Sequence, residues 1–216
     1  MGMFARWDGG PVTVSYIGTQ TIFTGSSGSV SFTVPALGGN QWVVVTCQFL
    51  GSSRTLSSIG GAAATKLVES ANTGGLADTR SQIWIAKPAA GTTIVTIPTS
   101  TGTEAYSLYV VSNLINGGAA SSTAVTTGSG TSLSSLSAPA GSAVISIAML
   151  FCADTPATAC TWSGGVTQDA FGGATAGISD LRWSPAHALP SVATTYGLSF
   201  SFNGGGFTTG SAVALR

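Results

Sequence analysis

The chain has 216 residues, seven Lys plus Arg against seven Asp plus Glu, and only 6% charged residues. A typical soluble domain carries about 25% charged residues. A neutral chain of this kind lacks the basic footprint needed to neutralise nucleic-acid phosphates or to settle on an anionic membrane, so both partner classes are excluded. Polarity comes instead from Ser, Thr, Asn and Gly, and a net charge of zero does little to keep copies apart. That composition fits a protein that works within an assembly, and equally an ordinary secreted domain.

In chain order, the N-terminal "MGMFARWDGGPVTVSY" shows no apolar stretch with a cleavage site and no myristoylation pattern. Residues 1–25 read as an arm or attachment segment. Within it, Arg6 and Trp7 are the candidate partner contacts, since aromatic and arginine side chains are enriched where proteins pack together. "QWVVVTCQF" (41–49) is apolar enough to be a central strand covered on both faces. "SQIWIA" (81–86) and "TTIVTI" (92–97) are rich in β-branched and aromatic residues, and "NTGG" (72–75) supplies turn chemistry between such runs. Residues 117–132, "GGAASSTAVTTGSGTS", read as a linker or a long crossover. "AVISIAMLFCA" (143–153) is a second central strand, far short of the ~20 residues a membrane helix needs. "YGLSFSF" (196–202) alternates Tyr196, Leu198, Phe200 and Phe202 with small or polar residues, the signature of a half-buried strand. No segment keeps a helical period over ten residues.

The two halves of the chain carry similar landmarks about a hundred residues apart. Pro35 answers to Pro139, Gly60-Gly61 to Gly164-Gly165 and Trp84 to Trp183, with Ile59 answering to Trp162. This order predicts a duplicated all-β chain, with a first half over 26–116 and a second over 133–216. The expected architecture is a β-sandwich of Greek-key or jelly-roll type. Low charge and continuous apolar strands favour one shared core across 26–216. The exchange of Ile59 for Trp162 is the behaviour of a core position, so Trp84, Trp162 and Trp183 are assigned to the core, and Trp42 with them.

Chemistry-bearing residues are sparse. His187, the one histidine, sits in "SPAHALP" between two prolines and reads as a loop residue bonded to backbone or water. No G-x-S-x-G nucleophile motif accompanies it. The carboxylates Asp8, Glu69, Asp78, Glu104, Asp154, Asp169 and Asp180 are scattered, and nothing selects Asp169 with Asp180, or Glu69 with Asp78, as a catalytic pair. Cys47, Cys152 and Cys160 lack C-x-x-C spacing, which argues against zinc and leaves a Cys152–Cys160 bridge open. No catalysis, cofactor or metal is expected.

The phrases "LSSIGGAAATKLVESA", "SQIWIAKPAAGTTIVTI" and the closing "GSAVALR" follow one another in an order that resembles β-rich virion proteins of tailed bacteriophages and prophages. The resemblance spans roughly residues 30–216. It implies a structural component of the particle, such as a head decoration or spike protein or a tail appendage. Its partners would then be capsid or tail subunits, in a homo-oligomer or on a lattice, after synthesis in the bacterial cytoplasm. The alternative expectation, from the tryptophans, is a carbohydrate-binding sandwich that recognises host glycans.

Overall fold

A computed structural model describes residues 10–22, 28–50, 53–71, 79–99, 102–127, 131–152, 157–176 and 179–216. The protein is an all-β sandwich, and no helix occurs among the described residues. The first half contributes β1 (Thr13–Ile22), β2 (Gly28–Thr33), β3 (Gln41–Leu50), β4 (Ser58–Ile59), β5 (Ala62–Ala63), β6 (Thr65–Glu69), β7 (Thr79–Ala86), β8 (Ile94–Thr99) and β9 (Glu104–Ser112). The second contributes β10 (Ala119–Thr127), β11 (Thr131–Ser132), β12 (Leu136–Ala138), β13 (Ala143–Cys152), β14 (Cys160–Ser163), β15 (Thr167–Gln168), β16 (Gly172–Ala176), β17 (Ser179–Ala188), β18 (Thr194–Tyr196), β19 (Ser199–Phe202) and β20 (Phe207–Leu215).

Two large antiparallel sheets form the centre. Their strand orders are β1-β9-β3-β7-β6 and β10-β20-β13-β17-β15, with β16 also pairing to β17. The apolar runs β3 and β13 take the middle of each sheet, where both faces are covered, as their sequences require. The sheets pack face to face, with β6 over β10, β7 over β20 and β3 over β13. On the far side β9 meets β17 through the Tyr109 and His187 rings. The sheets are closest on the β6 and β7 side, while the Tyr109 and His187 rings span the wider side.

The core is layered accordingly. Val44, Ile83, Ile85, Ile145, Ile147 and Val213 fill the space between the large sheets, so the two halves share a core. Each half also has a core of its own. In the first, β2 and β8 cover the outer face of the sheet through Phe32, Val43, Val45, Trp84 and Ile97. In the second, Leu136, Val144, Tyr196, Leu198 and Phe200 do the same.

The segment 1–25, read as an arm, contains β1, which pairs with β9 along its whole length. Its β-branched residues Thr13, Val14, Ile17, Thr19, Thr21 and Ile22 suit a pleated edge. The segment 117–132, read as a linker or crossover, contains β10, the opposite edge of the other sheet. Its Ala, Ser and Thr composition looks like linker, yet small side chains are what an edge strand lying over β6 can accommodate.

A third difference concerns the tryptophans. Trp84 shares the outer core with Val43 and Val45, whereas Trp183 packs with Met149, Leu181 and Ala105 on the side facing the other half. The landmark match of Trp84 with Trp183 is therefore out of phase, because a slip by an odd number of residues in a strand moves a side chain to the other face. The ladders offer a better match. Trp84 Nε1 donates to Gln82 Oε1 at 2.8 Å and Trp162 Nε1 donates to Ser184 Oγ at 3.0 Å. Gln82 pairs with Cys47 and Ser184 with Ala148, so the two indoles answer to corresponding ladder positions from different strands.

The edges of the large sheets are closed to strand addition. β1, β6 and β10 each carry a register shift, at Tyr16/Gly18, Lys66/Val68 and Ala119/Ser121. The fourth edge is split into the short β15 and β16. Bulges and short strands deny an incoming chain a continuous ladder.

Candidate functional site

The most concentrated polar chemistry lies between the two large sheets. Asp169, in the turn between β15 and β16, accepts the Tyr109 hydroxyl on Oδ2 at 2.7 Å. Its Oδ1 lies 2.7 Å from His187 Nδ1. Tyr109 comes from β9 of the first half and is fully buried; Asp169 and His187 come from the second half. Tyr16 packs against Tyr109 with ring centroids 5.3 Å apart and the planes tilted by 55°, and its hydroxyl continues through Thr19 Oγ1 (2.7 Å) to Ser107 Oγ (2.7 Å).

Proline places this cluster. His187 stands on β17 and not in a loop, because β17 runs through Pro185. Pro185 has no N–H to give to a neighbouring strand. The edge breaks opposite it, between Gln168 of β15 and Gly172 of β16. In the gap the Asp169 N–H donates to the Pro185 carbonyl at 3.0 Å, which sets the carboxylate beside His187.

Burial dominates the electrostatics of the phenols and thiols around these networks. Burial, then the charge and hydrogen bond of Asp169, push the Tyr109 phenol well above its usual range. Burial, followed by the neighbouring Cys47 and Glu104, does the same to Tyr106. Burial also raises the Cys47 thiol well above its usual range and the Cys160 thiol to about 11. Both thiols are free, and at neutral pH they are protonated and poor nucleophiles; the Cys152 side chain lies outside the described residues.

A sign follows for alkaline solution. An unfolded chain gives up thiol and phenol protons near pH 8.5 and 10, while the folded chain keeps them. Stability should then hold up to about pH 8.5 and decline above it. Urea midpoints across pH 7–11 check this, and Tyr109→Phe should soften the decline above about pH 10.

A second network, missed in the sequence, surrounds Glu104. Arg54 Nε donates to Glu104 Oε1 at 2.7 Å and the Tyr106 hydroxyl donates to Oε2 at 2.5 Å, with the Glu104 side chain 1% exposed. Arg54 also lies over the Phe49 ring. Nothing local in "TGTEAYSLYVV" marks Glu104 as buried.

The remaining candidates separate. Asp169 and Asp180 sit by opposite ends of β17, on the order of 20 Å apart at ~3.3 Å per residue, too far for a glycosidase pair. Asp180 pairs with Arg182, and Glu69 with Lys66 and Arg80. Asp8, Asp78 and Asp154 lie outside the described residues, as do Arg6 and Trp7. Among the described residues, no group of three or more His, Cys, Asp or Glu side chains gathers. Trp84 is buried, while Trp42, Trp162 and Trp183 are half-buried against the core clusters.

One end of the sandwich is apolar and exposed. Ile115, Leu189 and Val192 stand out there, Val192 at 67% exposure. Gly141 N–H donates to the Pro190 carbonyl at 2.8 Å, tying the loop that carries Leu189 and Val192 to the β12–β13 turn, which lies beside Ile115. Two shallow depressions of about 240 and 280 Å³ share Ile115 and Arg216 at this end, and Pro11 and Val12 line the first. Comparison with known protein families, curated proteins and solved structures finds no match.

Proposed function

We propose that this protein is a structural component of a tailed-phage particle, a head decoration or spike protein or a tail appendage, acting by surface packing. The observation that supports it most is the exposure of the apolar side chains Ile115, Leu189 and Val192 at one end of the sandwich. Exposed apolar patches of this kind mark contacts with other proteins. The closed sheet edges favour association through side chains over strand addition, and the phrase order shared with phage virion proteins supplies the class of partner. Such a contact needs on the order of 1,000 Å² to be stable. Arg6 and Trp7, five and four residues before Pro11 in sequence, belong to the same proposed contact.

Mass spectrometry of purified particles tests the reading. Stoichiometric recovery with the major subunits is the expected result. Absence from particles would overturn it and favour the glycan-binding module, which titration of tryptophan fluorescence with host polysaccharide would then examine.

A further inference from the structure

We infer that the interface between the two halves is exchangeable, and that its second partner is another copy of this chain. In the exchanged dimer the first half of each copy packs on the second half of the other. Every contact between the large sheets is kept, and only the connection changes.

Three observations carry this. The first is the form of the interface. The sheets have matching strand orders and face each other as whole sheets, packing most closely where β6 and β7 lie over β10 and β20, so each half offers the other a broad sheet face that no strand crosses. Its centre is the apolar set Val44, Ile83, Ile85, Ile145, Ile147 and Val213.

The second is the connection. β9 ends at Ser112 and β10 begins at Ala119, so six residues join the halves. Asn113, the first of them, has φ of +64° and is fixed by hydrogen bonds to Asn40 and to the Pro11 carbonyl. Gly117 is pressed so closely on the Trp42 ring that a Cβ there would lie 2.3 Å from it. Short, constrained hinges of this kind invite exchange, because straightening them relieves the constraint.

The third is the Tyr109–Asp169–His187 cluster. In the ladders, Ile85 and Tyr109 flank Val44, as His187 and Val213 flank Ile145. On the closer side of the interface, Ile85 and Val213 both belong to the central core. An apolar pair suffices to hold one side, and the other side is a hydrogen-bonded latch. The latch persists in the exchanged dimer, so it sets how fast the halves part and not which form is favoured. Tyr16 and Tyr109 from the first half, with Asp169 and His187 from the second, are the titratable groups that meet there.

Exchange should become appreciable when chain concentration approaches the effective concentration of a short tether, on the order of millimolar. The test opens the full chain briefly in acid at about that concentration, returns it to neutral pH and measures mass by light scattering. Equal amounts of ¹³C-labelled and unlabelled chain then allow isotope-filtered contacts between the Tyr109 and His187 rings to be read as within or between copies. The expected result is a dimer with Tyr109–His187 contacts between copies. Gly117→Val should raise its fraction several-fold, and Asp169→Asn should speed its return to monomer on dilution about tenfold. A chain that returns only as monomer, or a dimer whose Tyr109–His187 contacts stay within each copy, would overturn the inference.

Discussion

Replacing Arg54 with alanine should destabilise the fold by about 3–5 kcal/mol, the largest effect expected of any ion pair among the described residues. The Glu104 carboxylate is almost wholly buried, and Arg54 supplies its counter-charge at 2.7 Å. Without the guanidinium, a negative charge stays in the first half's core with the Tyr106 phenol on its other oxygen. The alkyl stem that covers Phe49 is lost as well. Urea unfolding measures the loss. Adding Glu104→Gln to Arg54→Ala should recover much of it, because the charge is then gone from the core. If the double variant were as unstable as the single one, packing of the Arg54 stem would be the dominant contribution.

The second large effect is at Asp169. Alanine there removes the acceptor of the fully buried Tyr109 hydroxyl and the partner of His187 together. A buried hydroxyl left without a partner costs about 1–3 kcal/mol, and hydrogen bonds to charged groups add to that. Asp169→Ala should therefore cost about 2–4 kcal/mol, whereas Tyr109→Phe, which removes the hydroxyl itself, should cost about 1 kcal/mol. Because the cluster ties the halves, the Asp169→Ala transition should also broaden, with the sheets separating before the outer cores melt. Circular dichroism and tryptophan fluorescence would then cease to coincide.

The fold class was legible because its signals are local. "QWVVVTCQF" and "AVISIAMLF" became the middle strands of the two large sheets, and Tyr196, Leu198, Phe200 and Phe202 all face inward as their alternation required. Even there the strand expected over 196–202 is interrupted at Gly197 and Leu198, and its two pieces pair with different strands. Sheet faces were harder. Trp84 and Trp183 look alike in sequence but point to opposite sides of their sheets, because Trp183 is displaced by three residues, an odd number, from the ladder position of Trp84.

The polar cluster could not be read at all, because its three members gain meaning only from pairing. Tyr109 is 60 residues from Asp169, and Asp169 is 18 from His187. Pro185 argued for a loop, yet the same proline opens the edge that lets Asp169 in. Glu104 was hidden for a similar reason, since burial of a carboxylate shows only once Arg54 is beside it.

The most direct test of the claim that the two halves act as one latched body is a double-mutant cycle between Tyr109→Phe and Asp169→Asn, read by urea unfolding of the full chain. The expected coupling is about 1–2 kcal/mol, with the double variant more stable than the sum of the single losses implies. Losses that simply add would mean that Tyr109 and Asp169 do not bond across the halves, and would contradict the account.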